Sequence, residues 1–336
     1  MDNKSNFLVR VSCATFNHHA YIADALNGFV MQKTNFPFVC TIVDDASTDG
    51  EQEVIKEYVQ EHFDLQDTSV AYDKDTDYGH VTFAQHKTNK NCFFAVIYLR
   101  ENHYSQKKSK APYLTEWMDT EYIALCEGDD YWTDPLKLQK QVDFLEANVD
   151  YSLCFHKVSI VSNNEKDLML FSQLKEGDYT ARQIYERWVV PTCSTLFRNN
   201  PEIPFEKNSA VVFGDIFIWL QLAERGKLRC LGFVGASYRR YQGSASCNYP
   251  VETSIRLYYQ YLFFEKRFPE LKDVSRRKQD EEGLADIVKA PYFPGIWKYR
   301  LRYVFRHKKR LLFSKFCVDT FFLYTPIRHL IFWKKL

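Results

Sequence analysis

Apolar runs alternate with amphipathic segments along the first half of the chain. Four runs are apolar enough to form buried strands: residues 7–15, 38–46, 121–126 and 151–162. Segment 21–32 places Ile22, Ala25, Leu26 and Phe29 at helical spacing, and segment 47–63 also reads as a helix. Strands that alternate with helices predict an α/β domain whose mixed, mostly parallel sheet is flanked by helices.

Local signals refine the predicted helix starts. Thr48 and Glu51 have the spacing of a capping box at the start of the second helix. Asp134 and Pro135 are typical of another helix start, with the aspartate as N-cap and the proline in the first turn. The pattern between the second and third buried strands is weaker. There we expect a strand at 69–75 and a helix near 111–119.

The composition is that of a folded protein in a reducing compartment. The chain has 336 residues, of which 46% are hydrophobic and 26% are charged, and such proportions argue against disorder. The nine cysteines are scattered without a CxxC pair, so we expect neither a zinc site nor a disulfide framework. The first residues lack the apolar stretch of a signal peptide, and no apolar run of about 20 residues occurs. We therefore expect a cytoplasmic protein.

The net charge is +1, but the C-terminal part of the sequence is strongly basic. Residues 298–336 contain 11 Lys or Arg and one acid, whereas the remainder contains 33 Lys or Arg and 42 acids. Apolar residues recur at helical spacing among these basic residues, which is typical of a helix on an anionic membrane surface. A helix that packs on the rest of the chain, with a solvated basic side, remains the alternative. Motifs that recognise bases are absent, so we expect no nucleic-acid partner.

The segment EGDDYW places three acids directly after a predicted buried strand. Glu127, Asp129 and Asp130 would repel one another in a tight turn unless they are solvated or share a cation. Gly128 permits a sharp turn there. Carboxylate oxygens suit Mg²⁺ or Mn²⁺, which often joins a few protein carboxylates to substrate phosphates. A solvated acidic turn before a helix remains the alternative.

Two further strand ends carry residues that suit a nucleotide. Asp44 and Asp45 end the second buried strand and can accept hydrogen bonds from a base or a ribose. Capping of the next helix is the alternative, although Ser47, Thr48 and Asp49 are better placed to cap it. Phe16 follows the first strand and could stack on a base, or belong to the core. His18 and His19 could be metal ligands, but a partner ligand would have to come from a distant part of the chain, so we expect solvated loop residues. Because ligands bind where parallel strands end, these segments should share one crevice.

Taken together, these segments resemble the family 2 nucleotide-sugar glycosyltransferases, which have the GT-A fold. The resemblance rests on the order and spacing of VSCATFNHHAYIADAL, FVCTIVDDASTDG and YIALCEGDDYWTDPLKLQKQVDFLE. It is strong over residues 7–150 and extends to about residue 246 through PTCSTLFRNN, FGDIFIWLQLAERG and SYRRYQGSAS. It implies a GT-A type, Rossmann-like catalytic domain at 1–246, followed by a helical, basic and aromatic extension at 247–336.

The resemblance also implies roles for individual residues. Phe16 would face the nucleobase, and Asp45 would bind the base with Asp44 beside it. Asp130 would be the direct metal ligand, while Asp129 would share the metal site and lie nearer the ribose. Asp215, in FGDIFIW, would be the general base.

One position departs from the family. The late histidine of the family motif is Tyr241 here, which puts a histidine contribution to metal or diphosphate binding in doubt.

The activity implied by the resemblance is an inverting glycosyl transfer assisted by Mn²⁺ or Mg²⁺. The donor would be a nucleotide-diphosphate sugar, and the acceptor would be a hydroxyl of a glycan or a lipid-linked glycan in cell-envelope polysaccharide biosynthesis. Lipid-linked acceptors fit a 297–336 tail on the cytoplasmic face of a membrane. Two alternatives stay open: a non-catalytic nucleotide-sugar or carbohydrate-binding protein, and a sugar nucleotidyltransferase. The second would need an early glycine-rich loop with a lysine, which this sequence lacks.

Overall fold

The described part of the chain forms two units. The structure is a computed structural model and describes residues 7–162, 165–170, 174–241 and 251–284, together with 287, 297–299 and 302. One unit lies within residues 1–206 and 215–242, and the other lies within 207–214 and 243–336. The predicted domain boundary after residue 246 falls outside the described residues.

The strands of the described residues form one mixed sheet. In chain order they are β1 (Val9–Thr15), β2 (Phe38–Asp44), β3 (Phe63–Asp64), β4 (Tyr72–Asp75), β5 (Gly79–His86), β6 (Cys92–Leu99), β7 (Tyr122–Leu125), β8 (Tyr131–Trp132), β9 (Tyr151–Ser162), β10 (Glu165–Leu170), β11 (Gly177–Tyr179), β12 (Leu196–Arg198) and β13 (Lys227–Arg240). Their order across the sheet is β11-β13-β9-β12-β7-β1-β2-β6-β5-β3. Off this path, β10 pairs with β9, β4 with β5, and β8 with β13.

Helices occupy the segments between many of these strands. They are α1 (Ile22–Val30), α2 (Glu51–His62), α3 (Lys137–Ala147), α4 (Ala181–Arg187), α5 (Gly214–Arg225), α6 (Val251–Arg267) and α7 (Lys272–Lys278). Short 3₁₀ helices occur at Ala111–Trp117, Thr192–Ser194 and Pro269–Leu271, and a π-helix occurs at Gln279–Leu284. The predicted α/β class, with a mixed sheet flanked by helices, is confirmed.

The centre of the sheet is parallel, in the order β7-β1-β2-β6. β1 pairs with β2 over its whole length, from Val9 opposite Phe38 to Thr15 opposite Asp44. Every residue of β2 is buried, as expected for a strand covered on both faces. Because these four strands run the same way, their carboxyl ends lie at one edge of the sheet.

Helix α1 covers this part of the sheet with the apolar face that the sequence predicts. Ile22, Ala25 and Phe29 are buried, and Phe29 packs edge-on against Trp132 with ring centroids 4.9 Å apart. The helix approaches β8 so closely that a Cβ atom on Gly28 would lie 2.8 Å from the Trp132 main-chain nitrogen. Packing of α1 therefore holds the strand that follows the EGDD segment.

The predicted capping box is wrong. Helix α2 begins at Glu51 after Gly50, whose φ of 91° is left-handed, and Thr48 makes no cap. Asp49 accepts the Glu51 main-chain N–H instead, at 3.1 Å. The Glu51 side chain is thereby free to turn towards the end of β1, where it contributes to the candidate site.

Three other local predictions differ in detail. Asp134 accepts the Leu136 main-chain N–H at 2.9 Å, but α3 begins at Lys137, two residues after the predicted start at Pro135. The strand expected at 69–75 is the shorter β4, which pairs only with the antiparallel β5. The helix expected at 111–119 is 3₁₀ rather than α.

Lys137 is a buried cation on the inner face of α3. It is 0% exposed, its ammonium lies 4.0 Å from the centre of the Trp132 ring, and it donates to the Thr195 carbonyl at 3.4 Å. Burial lowers the pKa of Lys137 to about 8. The folded protein therefore releases this proton at a lower pH than the unfolded chain does.

We predict that the stability contribution of Lys137 depends on pH. Between pH 8 and 10.5 the unfolded chain binds more protons than the folded protein at this residue, so wild-type stability rises with pH. Relative to Lys137→Met, the wild-type free energy of unfolding should gain about 3 kcal/mol over this window. Urea unfolding at several pH values measures it. The exposed Lys33→Met is the control and should differ from wild type by a constant amount; a constant difference for Lys137→Met would contradict the prediction.

The second unit is helical in its described part. Tyr258 of α6 packs with Leu284 and Ile287, and the Tyr261 hydroxyl donates to Glu282. Residues 297–299 and 302 are helical, but most of the 297–336 tail, and with it the predicted membrane contact, lies outside the described residues. Among the helices described, none combines the length and apolar character that crossing a bilayer requires.

Candidate active site

Three strand ends meet at one edge of the parallel sheet. The Asp45 main-chain N–H donates to the Thr15 carbonyl at 3.0 Å, which joins the ends of β1 and β2. On the other side of β1, the Gly128 N–H donates to the Ala14 carbonyl at 3.1 Å. The structure therefore brings the acidic segments 44–45 and 127–130 to the two sides of β1, at one edge of the sheet.

Gly128 lies in contact with the end of β1. A Cβ atom at this position would lie 2.1 Å from Thr15 Oγ1 and 2.7 Å from Thr15 Cβ. No side chain fits in that space without moving the backbone, so glycine is required for close approach.

We predict that Gly128→Ala displaces the EGDD segment. The substitution should cost roughly 2–3 kcal/mol of unfolding free energy because the added methyl group overlaps Thr15. Gly214→Ala is the matched control, since a Cβ atom there meets nothing within 4 Å, and it should change stability by less than about 1 kcal/mol. Chemical denaturation compares the two. Equal unfolding free energies for the two variants would contradict the prediction, because they would show that the Thr15 side chain tolerates a methyl group at position 128.

Asp130 is held against β13. It is 2% exposed, and its Oδ1 accepts the Arg239 main-chain N–H at 2.8 Å. Burial raises the pKa of Asp130, the charges of Asp129 and Glu127 raise it further, and the Arg239 hydrogen bond lowers it. The antiparallel pairing of β8 with β13 brings Arg239 to this position.

Asp129 is the more accessible carboxylate of the pair, with 19% of its side chain exposed. Its Oδ2 accepts the Tyr241 hydroxyl at 3.2 Å and lies 3.8 Å from Nε2 of His18. Tyr241, which replaces the histidine of the family motif, therefore contacts the acidic segment directly. His18, expected to be a solvated loop residue, is only 16% exposed and belongs to the site.

Glu127 is tied to the 3₁₀ helix that precedes β12. Its Oε2 accepts the Thr192 hydroxyl at 2.7 Å. Burial raises the pKa of Glu127 to about 7, the Thr192 hydrogen bond lowers it, and the charges of Asp129 and Asp215 raise it. Glu127 thus joins the acidic turn to the segment PTCST.

Asp215 opens α5 and is oriented by a tryptophan. Its Oδ2 accepts the Trp188 indole N–H at 3.1 Å. Burial raises the pKa of Asp215, and this hydrogen bond lowers it. The charge of Asp215 is one of those that raise the pKa of Glu127, so the two carboxyl groups lie within electrostatic reach of each other.

Asp44 and Asp45 are both almost fully buried, at 0% and 1% exposure. Asp44 Oδ1 accepts the Ser47 main-chain N–H at 3.0 Å and the Gln52 amide at 2.5 Å. Within the described residues, Asp44 Oδ2 is buried without a hydrogen-bond partner. Asp44 therefore orders the loop between β2 and α2.

Asp45 holds the loop that follows β6. Its two oxygens accept the main-chain N–H groups of His103 (2.8 Å) and Tyr104 (3.0 Å), and Lys110 pairs with Oδ2 at 3.0 Å. Direct contact with a base by Asp45 stays a prediction, and at 1% exposure Asp45 lies beneath this loop. Phe16, by contrast, is 41% exposed and available to a ligand.

Sequence reasoning missed the contribution of Glu51. Its Oε2 accepts the His18 main-chain N–H (2.9 Å) and the Ser47 hydroxyl (2.8 Å), and its Oε1 accepts the Thr15 hydroxyl. Burial raises the pKa of Glu51, whereas these donors lower it. A glutamate at the start of a helix has an ordinary local explanation, so the sequence carried no signal of this role.

The acidic segment fits a divalent cation that is shared with a ligand. No three His, Cys, Asp or Glu side chains among the described residues converge into a cage that would hold a metal ion alone. Mg²⁺ and Mn²⁺ sites often use one or two carboxylates and complete their coordination with phosphate and water oxygens. The partly exposed Asp129 suits such a site, because the protein does not have to supply all the ligands of the cation.

Comparison with known sequences finds relatives without an established function. No family model matches the chain. Proteins of uncharacterised function from Mycobacterium bovis and two strains of Mycobacterium tuberculosis are 31% identical over 231 residues, which is 68% of this chain and 57% of each relative. The chain thus spans less than two thirds of the length of these relatives.

Comparison with solved structures finds proteins in complex with nucleotide sugars. Residues 1–349 of S. aureus TarS, bound to UDP-GlcNAc, are 15% identical with a TM-score of 0.49, covering 96% of this chain and 77% of that one. The mannosyltransferase PcManGT from Pyrobaculum calidifontis, in complex with GDP-Man and Mn²⁺, is 14% identical with a TM-score of 0.43, covering 94% and 84%.

Proposed function

We propose that this protein is a nucleotide-sugar glycosyltransferase of the GT-A type. The transfer would be inverting, from a nucleotide-diphosphate sugar to a hydroxyl of a glycan or lipid-linked glycan. One observation carries the proposal: within one unit, the EGDD segment lies beside the ends of β1 and β2, and Asp215 is near enough for its charge to raise the pKa of Glu127. The resemblance of these segments to the family supports it.

In this proposal the carboxyl edge of the sheet binds the donor. Phe16, which is exposed, would offer its aromatic face to the base. The resemblance makes Asp130 the direct metal ligand, but Asp130 is only 2% exposed whereas 19% of the Asp129 side chain is exposed, so we assign the cation and the donor diphosphate to Asp129 instead. When bound, Mn²⁺ or Mg²⁺ would stabilise the negative charge of the departing nucleoside diphosphate. Asp130 would support the segment through Arg239.

We assign Asp215 as the general base that removes the proton from the acceptor hydroxyl. A general base must be oriented towards the proton that it removes and must have a pKa suited to the working pH. Asp215 meets this requirement, because burial raises its pKa and the Trp188 indole holds one oxygen.

We predict that Asp129 and Asp215 separate binding from catalysis. Asp129→Asn should weaken Mn²⁺-dependent binding of UDP or GDP, measured by calorimetry, by at least about tenfold. Asp215→Asn should leave that binding within about twofold and lower kcat by roughly 10²–10⁴. Release of nucleoside diphosphate from a panel of UDP- and GDP-sugars, with glycan and lipid-linked acceptors, measures turnover.

The exposed Asp143→Asn, on α3, is the control and should behave as wild type. Wild-type protein that neither binds nucleotide nor turns over any donor would reject the proposed function. Binding of donors without turnover, across the acceptor panel, would favour a non-catalytic binding protein.

We predict that Trp188→Phe alters the pH profile of transfer. Removing the indole N–H takes away the hydrogen bond that lowers the pKa of Asp215, so its folded-state pKa should rise. The acidic limb of kcat against pH should then move to higher pH, while donor affinity stays unchanged. An unshifted limb, with kcat lowered equally at all pH values, would mean that Trp188 acts by packing alone.

A further inference from the structure

His18 and Asp129 face each other at the carboxyl edge of the sheet. His18 Nε2 lies 3.8 Å from Asp129 Oδ2, and the two side chains are 16% and 19% exposed. This distance is longer than the roughly 2.7–2.9 Å of a charged hydrogen bond. The two atoms are therefore neighbours that can be reached from solvent without being directly bonded.

The hydrogen bonds around Thr15 determine which nitrogen of His18 carries the proton. The Thr15 hydroxyl has one hydrogen, and it donates that hydrogen to Glu51 Oε1. Thr15 Oγ1 lies 3.1 Å from His18 Nδ1 and must therefore accept the Nδ1–H. A neutral imidazole carries only one N–H, so in that form Nε2 carries a lone pair and lies 3.8 Å from Asp129 Oδ2.

Several contacts hold the imidazole in this orientation. Glu51 Oε2 accepts the main-chain N–H of His18 at 2.9 Å and also accepts the Ser47 hydroxyl at 2.8 Å. Histidines that bind metals almost always donate their second ring N–H to a fixed polar partner, which sets the tautomer. Thr15, backed by the buried Glu51, is such a partner.

We propose that His18 Nε2 and Asp129 Oδ2 are two ligands of one divalent cation that holds the donor diphosphate. Oxygen and imidazole ligands lie about 2.1 Å from such a cation, so one ion can contact both atoms when they are less than about 4.2 Å apart. The observed 3.8 Å satisfies this limit. This inference rests on the proposed function, because phosphates supply the remaining ligands.

Tyr241 has a different role in this arrangement. Its hydroxyl donates to Asp129 Oδ2 at 3.2 Å, and its ring packs on Tyr21 at 5.1 Å. A phenol hydroxyl that donates its proton orients the carboxylate rather than binding the cation. His18 thus contributes from the β1 end the imidazole that the tyrosine cannot provide.

Electron spin echo spectroscopy of Mn²⁺ bound to the full-length protein with UDP or GDP tests this inference. Phosphorus coupling reports that Mn²⁺ is on the diphosphate, and nitrogen coupling reports a bound imidazole. We expect nitrogen coupling in wild type that changes to ¹⁵N coupling when histidine is ¹⁵N-labelled, which excludes nitrogens of the base. His18→Ala and His18→Gln should lose it and weaken Mn²⁺ binding at least about tenfold.

His19→Ala is the matched control, because His19 is the exposed neighbour whose main-chain N–H donates to Asp49 (2.9 Å), and it should keep the coupling. Phosphorus coupling without histidine nitrogen coupling in wild type would overturn the inference and leave the proposed function standing. Histidine coupling that persists in both His18 variants would also overturn it. Absence of any Mn²⁺–nucleotide complex in wild type would instead reject the proposed function.

Discussion

The parallel pairing of β1 with both β2 and β7 is the constraint on which the candidate site depends. At this edge, each loop with a proposed site residue either follows one of these strands in the chain or packs against one of them. The pairing continues past the strands themselves, since the main-chain N–H groups of Asp45 and Gly128 still bond to the end of β1. A shift of one residue in this register would turn the Thr15 side chain to the other face of the sheet. It would then lose Glu51, His18 and its contact with Gly128 together.

The buried carboxylate of Glu51 stabilises that edge across the chain. Removing a carboxylate from water is costly unless hydrogen-bond donors replace the water. Three donors do so here: Thr15 at the end of β1, His18 between β1 and α1, and Ser47 between β2 and α2. This explains why α2 starts without a capping box: the glutamate that would have completed the box is used to join the β1 and β2 loops.

The sequence predicts most of what depends on periodicity and little of what depends on remote partners. The buried strands, the apolar face of α1 and the arrival of two acidic segments at one edge follow from apolar runs and from the rule for parallel sheets. The contact of His18 with Asp129 and that of Arg239 with Asp130 join segments far apart in the chain. Spacing carries no information about such pairs. The burial of Asp45 under its own loop was equally hidden, because a pair of acids after a strand looks the same whether it faces solvent or main-chain N–H groups.

The repulsion among the clustered acids also explains why their roles separate. Arg239 contacts Asp130 through its main-chain N–H. Its guanidinium, however, bonds to Asp24 (2.7 Å) and to the Asp129 main-chain carbonyl (2.7 Å) rather than to a carboxylate of the EGDD segment. The remaining ways to reduce repulsion are protonation and a bound cation. Burial takes Glu127 and Asp130 towards protonation, as their raised pKa values show. Asp129 retains partial exposure and a neighbouring lone pair, so it is the member of the group that a cation can reach.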